Sequence, residues 1–209
     1  MRVKSKTSLV CAILLLAPVL AAAQETKTLS ESGGKPFAAD FPSGGRIRMN
    51  LRSSGVTVTG SDENKILVRV SSRDSGDLSD VRISLKTNGD RGDLTVTGGP
   101  SNNFQIDIQI PRRSDLYARM FAGELDIRGV EGNKDLEVHF GQMDVTLEHP
   151  GDYAPVRLSV NSGDLEAAAF DVSKGGLFRS FEMDSALHTN SPGKYSLYAH
   201  VGAGEIDIN

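Results

Sequence analysis

The stretch Gly-Glu-Leu-Asp-Ile at residues 123–127 is the first of five copies of one short pattern in the second half of this 209-residue chain. Each copy has a glycine, then an acidic residue or glutamine, an apolar residue, an acidic residue, and an apolar or small residue. One copy has phenylalanine in place of the glycine. The copies begin at Gly123, Gly141, Gly163, Phe181 and Gly204. Recurrence at so short a period is typical of proteins that stack structural repeats.

Around the glycine, apolar residues occupy every second position on both sides. The apolar residues three positions before it are Met120, Val138, Val160, Phe178 and Val201. The apolar residues two positions after it are Leu125, Met143, Leu165, Met183 and Ile206. A period of two predicts β-strands with alternate side chains directed to a core. Since the alternation changes from odd to even offsets at the glycine, we expect the chain to bend there, where a residue without Cβ is readily accommodated.

A longer unit of about 40 residues contains two copies of the pattern. Residues 116–127, around the first copy, are repeated closely as residues 197–208, around the fifth. The first half of the chain also alternates apolar and polar residues but is less regular, and no segment after residue 23 has a helical period. We therefore predict an all-β chain with one domain over residues 37–209, a β-solenoid (β-helix-like) with coils of roughly 20 residues.

The first 23 residues have the pattern of a secretory signal peptide. Three basic residues precede an apolar run at residues 9–20, and an Ala-x-Ala cleavage site follows at residues 21–23. The single cysteine, Cys11, would be removed with this peptide, so the remaining chain would have no disulfide. We predict an exported protein, periplasmic or at the cell surface, with a flexible leader at residues 24–36.

The charge balance after removal of residues 1–23 is acidic. It leaves 20 Lys and Arg against 27 Asp and Glu, a formal net charge of −7. Nucleic acids and anionic lipids bind clustered basic residues, so neither is expected as a partner. No further apolar stretch is long enough to span a bilayer, and no transmembrane segment is predicted in the exported chain.

A family resemblance rests on three strings of residues. They are Ile-Asp-Ile-Gln-Ile-Pro-Arg-Arg-Ser-Asp-Leu at 106–116, Ala-Gly-Glu-Leu-Asp-Ile-Arg-Gly-Val-Glu-Gly at 122–132, and the recurrent Ser-Gly-Asp-Leu-Glu at 162–166. Over residues 37–209 the chain resembles the adhesin-like β-strand repeat proteins of the bacterial envelope, which include head GIN-type domains of unknown function. The resemblance implies export, a solenoid of Gly-Asp/Glu strands and an envelope or surface role, and it supplies no catalytic residues. Phe181 departs from the pattern, which implies a wider or bulged corner.

Acidic residues one and three positions after the glycine form two columns that we expect to face solvent. The candidate site residues in these columns are Glu124, Asp126, Asp164, Glu166, Glu205 and Asp207. Stacked at the strand spacing of about 4.8 Å, like charges destabilise one another, and Ca²⁺ or a basic partner would relieve the repulsion. The alternative is a solvated face whose charge discourages edge aggregation. We favour this alternative and predict no cofactor, because the Ca²⁺-binding nonapeptide of other β-helices is absent.

Other candidate motifs are weak. The tripeptide Arg-Gly-Asp at residues 91–93 matches that of integrin ligands, but common residues form it easily by chance, and here it begins a predicted strand. His139, His149, His188 and His200 have no metal-ligand spacing, and no nucleotide-binding or nucleophile motif is present. Some β-helices cleave polysaccharides with a unique carboxylate pair. We predict no enzyme, because the carboxylates of this chain recur with the repeat.

The last copy of the pattern stops at Ile208-Asn209 without a capping segment. Solenoids need covered end coils, so we expect the C-terminal strand either to pair with another subunit or partner, or to be protected by the charges of Glu205 and Asp207. We predict a non-enzymatic envelope or surface protein, an adhesin-like interaction or scaffold module whose partner is an unidentified protein or an envelope glycan. The alternatives are a self-assembling structural β-solenoid and a carbohydrate-active β-helix enzyme.

Overall fold

The computed structural model describes residues 26–52, 54–74, 76–185 and 193–209. In these ranges the chain is all-β, with thirteen strands, two short 3-10 turns at Pro150–Asp152 and Ala168–Phe170, and no α-helix. No helix within them has the length and apolar character needed to cross a membrane. The predicted signal peptide at residues 1–23 and the candidate His188 lie outside the described residues.

The strands in chain order are β1 (Lys27–Ser32), β2 (Phe37–Asp40), β3 (Arg46–Leu51), β4 (Ser54–Ser61), β5 (Lys65–Ser72), β6 (Arg82–Asn88), β7 (Arg91–Thr97), β8 (Phe104–Pro111), β9 (Asp115–Arg128), β10 (Lys134–Thr146), β11 (Tyr153–Ala167), β12 (Val172–Met183) and β13 (Tyr195–Ile208). β1 lies in the segment predicted to be a flexible leader, where it pairs with β6 over its whole length. Residues 27–32 of the predicted leader therefore form a paired strand in the structure, while the domain bounds stay a prediction.

Four long strands form the centre of the sheet, in the spatial order β9, β10, β13 and β11, and all four are parallel. Gly141 of β10 lies opposite both Gly123 of β9 and Gly204 of β13, and Gly163 of β11 lies on the other side of Gly204. The columns read from the sequence are therefore rows of neighbours across the sheet. In each strand the buried side chains change from odd to even offsets at the glycine, as predicted.

The close approach of successive backbones at the corners requires these glycines. Their φ angles lie between 120° and 139°, a range that residues with side chains rarely adopt. A Cβ on Gly141 would lie 1.9 Å from the carbonyl oxygen of Gly123, and a Cβ on Gly204 would lie 1.8 Å from the carbonyl oxygen of Gly141. At Gly141, Gly163 and Gly204, therefore, no larger residue fits in the close-packed stack unless the strands move apart.

The repeat extends further toward the N-terminus than the sequence analysis recognises. β3 and β4 lie beside β9 in one continuous register, with Leu51 opposite Met120. Ser54 holds the position of the glycine, opposite Gly123, and Thr57 holds an acidic position. Because serine and threonine replace the residues that define the pattern, the motif does not reveal this copy.

The corners divide the sheet into two ladders that enclose one core. In the ladder before the corners, the strand order is β1-β6-β7-β3-β9-β10-β13-β11-β12. In the ladder after the corners, the order is β2-β5-β8-β4, and β4 pairs with the second half of β9, beside which the second halves of the other long strands follow. The inward side chains of both ladders form a single buried cluster. Pairing is parallel in the middle and antiparallel at both ends. The predicted β-solenoid of uniform coils is therefore not confirmed, since the sheet is mixed.

The fourth copy of the pattern differs from the predicted structure. After the second 3-10 turn and Asp171, which has a φ of 58°, the chain reverses and β12 runs antiparallel to β11. Gly176, and not Phe181, lies opposite Gly163. Phe178, predicted to be buried, is 80% exposed. A period of two does not reveal strand direction, and the motif match at Phe181 is coincidental.

The C-terminal strand does not lie at the edge of the sheet. β13 is inserted between β10 and β11 and pairs with both, and the backbone of Asn209 accepts from Leu147 at 2.6 Å and donates to Val145 at 3.0 Å. The prediction that this strand offers a free edge for self-association is therefore wrong. In the described part of the chain, the free edge at this end of the sheet is β12.

One lysine is buried within the core. Lys134 begins β10 at a position that the neighbouring strands fill with Leu116 and Leu197. Its ammonium donates to the hydroxyl of Tyr153 and, at 3.2 Å, to the carbonyl of Gly132, and it lies 4.5 Å from the centre of the Tyr153 ring. Burial lowers the pKa of Lys134 to about 7, and burial raises the pKa of Tyr153.

We expect Lys134 to make the stability rise with pH above neutrality. Between its folded pKa of about 7 and its ordinary value of 10.5, the unfolded chain carries a proton that the folded protein lacks, so the free energy of unfolding increases across this window. Lys134→Met should remove this slope, which reaches at most about 1.4 kcal/mol per pH unit, and should raise the stability near neutral pH. Urea unfolding from about pH 6 to about pH 10 measures both effects.

Lys86→Met is the matched control, because Lys86 is exposed on β6. This variant should keep the wild-type slope. A Lys134→Met protein whose slope is unchanged would show that Lys134 stays protonated in the folded state up to its ordinary pKa.

Candidate functional site

The predicted acidic columns come together on one surface, which we call the acidic face. It is the outer surface of β9, β10, β13 and β11 after their corners. Across these strands, in spatial order, the residues one position after the glycine are Glu124, Gln142, Glu205 and Asp164, and those three positions after it are Asp126, Asp144, Asp207 and Glu166. All six predicted site residues lie on this face. Their spatial order differs from the chain order because β13 is inserted between β10 and β11.

Asp144 lies at the centre of the acidic face, between Asp126 and Asp207 in the neighbouring strands. Its pKa is raised by partial burial first and then by the surrounding carboxylates, those of Asp207 and Asp126 before the others. Asp126 has a compensating cation, because Arg128 of the same strand donates to both of its oxygens, with Nε 2.9 Å from Oδ1. The centre of the face therefore carries like charges in close proximity.

The carboxylates form rows and do not converge on one point. Adjacent strands hold them side by side at the strand spacing of about 4.8 Å, and in the row of Asp144 the flanking strands carry Thr57 of β4 and Ser173 of β12. Among the residues that the structure describes, no group of three or more His, Cys, Asp or Glu could hold a metal ion. The solvated acidic face that we favour stays a prediction, and Ca²⁺ binding stays its untested alternative.

The outer surface of the same strands before their corners is charge-compensated. Arg119 of β9 reaches Asp135 and Glu137 of β10 at 2.7 and 3.0 Å, and Arg157 of β11 pairs with Glu182 of β12 at 3.6 Å. Exposed pairs of this kind contribute at most about 1 kcal/mol each, but they neutralise the surface. In the central strands, closely packed like charges are therefore a property of the acidic face.

Exposed apolar side chains run along the corners. Phe121 of β9 and Phe140 of β10 are 62% and 53% exposed, and their rings meet edge to face with centroids 5.6 Å apart. Leu177 and Phe178 of β12, at the far end, are 63% and 80% exposed. We call these four residues the corner line. The motif does not reveal the corner line. A signal was present in the sequence, because β11 and β13 have small or polar residues one and two positions before the glycine, where β9 and β10 have phenylalanine.

Beside the corner line, a groove of about 850 Å³ opens at the corners of β9 and β10. Its floor is formed by residues 122–124 and 141–142, its wall by residues 101–105, and Arg73 after β5 contributes to its lining. We call this feature the corner groove. Its exposed lining is slightly more polar than apolar, which suits a ligand with both polar groups and an apolar face. No sequence motif marks it, because its parts come from separate segments of the chain.

The remaining candidate motifs are part of the sheet or stand apart from one another. The Arg-Gly-Asp tripeptide begins β7, which pairs with strands on both sides. Its Gly92 is buried, and a Cβ there would lie 2.9 Å from the ring of Phe41, so the tripeptide has a packing role. His139, His149 and His200 belong to no metal-binding group in the described residues.

Asp144→Asn is expected to raise the stability by roughly 0.2–1 kcal/mol, because it removes a carboxylate that lies between two others. Since folding raises the pKa of Asp144, the destabilising contribution is absent in acid and grows as the pH rises through the raised pKa. The variant should lose this dependence. Urea unfolding at about pH 4 and about pH 7 measures it.

Asp135→Asn is the matched control in the same strand and should lower the stability, because Arg119 loses a partner at 2.7 Å. We expect Ca²⁺ to leave the melting temperature of the wild-type protein unchanged. A rise with Ca²⁺ that Asp144→Asn abolishes would identify a cation site and contradict a purely solvated face.

No family model matches this chain, and no curated protein matches it. Two solved structures are similar over most of both chains. A candidate cell adhesion protein from Clostridium sporogenes is 15% identical with a TM-score of 0.46, and the match covers 83% of this chain and 98% of that one. A candidate adhesin from Bacteroides fragilis is 12% identical with a TM-score of 0.33, and the match covers 84% and 97%. At these identities and TM-scores, neither structure assigns a function to this chain.

Proposed function

We propose that this protein is a non-enzymatic envelope or cell-surface protein that acts through its outer surfaces as an adhesin-like interaction module. The observation that carries the proposal is the corner line. Its four apolar side chains are exposed in a chain that buries most of its other large apolar residues in one core. Exposed apolar clusters on a folded surface are typical of sites that contact another molecule.

The Phe121 and Phe140 pair of the corner line belongs to β9 and β10, strands that are paired on both sides. Phe121 and Phe140 come one or two residues before Gly123 and Gly141, whose backbones face each other across paired strands. Side chains on strands are held in position more firmly than side chains on loops. This rigidity favours a preformed binding surface, because little conformational freedom is lost on contact.

We infer that the central stack is a β-solenoid of parallel coils closed at each end by antiparallel strands. The common register of β9, β10, β13 and β11 supports this description, and the antiparallel strands cover coils that a bare solenoid would leave open. The predicted signal peptide supports export to the periplasm or the cell surface. Both inferences agree with the resemblance to adhesin-like repeat proteins of the bacterial envelope.

A carbohydrate-active β-helix enzyme is the weaker alternative. Glycoside cleavage uses two carboxyl groups on either side of one bond, roughly 5–9.5 Å apart. Among the residues that line the corner groove, Glu124 is the one with a carboxylate, and the remaining carboxylates of the repeat lie in rows on the open acidic face. This arrangement supports a non-enzymatic role.

Surface labelling of intact cells tests the proposal. A membrane-impermeant amine-reactive biotin reagent should modify the exposed Lys86 and Lys174 in intact cells, because an adhesin-like protein faces the medium. The buried Lys134 should react after denaturation and not before, which gives an internal control for folding. A protein that is labelled only after the cells are lysed would contradict a surface role.

End-to-end assembly is the second candidate function, and the free edge of β12 favours it. In the described residues β12 pairs with β11 on one side, and it carries the exposed Leu177 and Phe178. An unpaired strand edge is a template for pairing with another chain. Two β12 edges joined antiparallel would be related by a two-fold axis and would continue the sheet from one molecule into the next.

Light scattering of the purified protein tests this second candidate. The wild-type mass should double as the concentration rises, and Phe178→Asp should remain a monomer because it introduces a charge at the joined edge. Phe121→Asp, at an exposed aromatic residue outside β12, should behave as the wild type. A wild-type protein that has the mass of a monomer at every concentration would exclude assembly and would leave the interaction module as the proposed function.

A further inference from the structure

We propose that the corner groove is a binding site for an uncharged glycan, with the sugar rings lying across the corners of β9 and β10. This inference rests on the proposed function, since it names the ligand class of an adhesin-like module.

The wall of the groove is an insertion at one corner of the repeat. β7 and β8 run beside β3 and β4, with Thr95 opposite Asn50 and Gln105 opposite Gly55. Nine residues separate Thr95 from Gln105, whereas four residues separate Asn50 from Gly55. The five extra residues lie within the segment 98–103, whose second half, together with residues 104 and 105, forms the wall of the groove beside corners that are otherwise made by a single glycine.

This wall is held in place by hydrogen bonds from three other segments. Arg52 donates through Nη1 to the carbonyl of Gly98 at 2.7 Å, and the backbone nitrogen of Gly99 donates to Oδ1 of Asp80 at 2.8 Å. The backbone nitrogen of Arg73 donates to the carbonyl of Asn103 at 3.1 Å. A groove with a fixed wall is preformed, so a ligand loses little affinity to ordering of the protein.

The floor offers space for a flat ring. Three of its residues, Ala122 and Gly123 of β9 and Gly141 of β10, have no side chain beyond Cβ. Phe140 of the corner line directly precedes the lining residue Gly141 and is about half exposed, so its ring lies at the border of the groove and not in its lining. An aromatic ring beside an open backbone floor suits the apolar C–H face of a sugar, because the ring face carries negative charge density and apolar area together.

The polar groups of the groove match hydroxyl and amide groups. Arg73 supplies donors only, Glu124 supplies acceptors only, and the amides of Gln105 and Gln142 supply both. A sugar hydroxyl donates and accepts at the same time, so it can use all of these groups. An apolar ligand would leave them desolvated without partners, which is unfavourable.

The surrounding charge selects against anionic ligands. Glu124 lines the groove, and Asp144 of the acidic face lies three residues along β10 from the floor residue Gly141. Together they oppose the single lining cation, Arg73. Uronate chains, phosphorylated glycans and nucleic acids would all meet this repulsion. The observations therefore favour a neutral or N-acetylated saccharide.

Calorimetric titration of the purified protein with chitotetraose and cellotetraose as neutral probes, and with tetragalacturonate as an anionic probe, tests the inference. We expect saturable one-to-one binding of a neutral probe and a weaker or absent signal with the anionic one. Phe140→Ala and Gln142→Ala should each weaken binding about tenfold. Phe178→Ala, at a more exposed aromatic residue on β12, should leave binding unchanged. All three positions are exposed, so the variants should fold, which circular dichroism checks.

Three results would overturn the inference: no heat with either neutral probe at millimolar concentration, tetragalacturonate binding as tightly as the neutral probes, or unchanged affinity in both groove variants. These outcomes are distinct from failure of the proposed function. A protein that is surface-labelled on intact cells but binds no neutral probe would keep the adhesin-like role and lose the groove as its glycan site.

Discussion

At each corner of the central stack, the carbonyl oxygen of one glycine lies where the next strand would otherwise carry a Cβ. This contact forces the long strands to turn together, so the ladders before and after the corners keep one register. Residues at odd offsets before the glycine and even offsets after it then face the same core. The acidic face, the corner line and the floor of the corner groove all take their positions from that glycine.

The sequence predicts which side chains of a strand face the core, but it does not predict the order of the strands in the sheet or their direction. Val138 and Met143 are buried as predicted, because a period of two and a repeated glycine are local signals. The insertion of β13 between β10 and β11 and the reversal that makes β12 antiparallel depend on contacts between distant segments. Ser54 shows a further limit, since a coil can use another residue at the glycine position.

The same division applies to the candidate sites. The sequence predicts that the residues of the acidic face share one surface, because they occupy the alternate strand positions that do not face the core. The corner groove could not, because residues 98–103 read simply as a turn and become a wall only when placed beside the corners of β9 and β10. Lys134 falls in an apolar column of the sequence, but its partner Tyr153 is apparent only in the fold.

The insertion of β13 also determines when the molecule can finish folding. β13 has to enter a gap between β10 and β11, which precede it in the chain. Until β13 pairs there, the core side chains Leu136 and Leu158 lack their neighbour on that strand. Non-local pairing of this kind folds slowly. If the chain is exported as proposed, it crosses a membrane from its N-terminus and cannot complete the stack coil by coil. A chain cut before residue 195 would leave apolar strands uncovered, and such forms aggregate or are degraded by proteases.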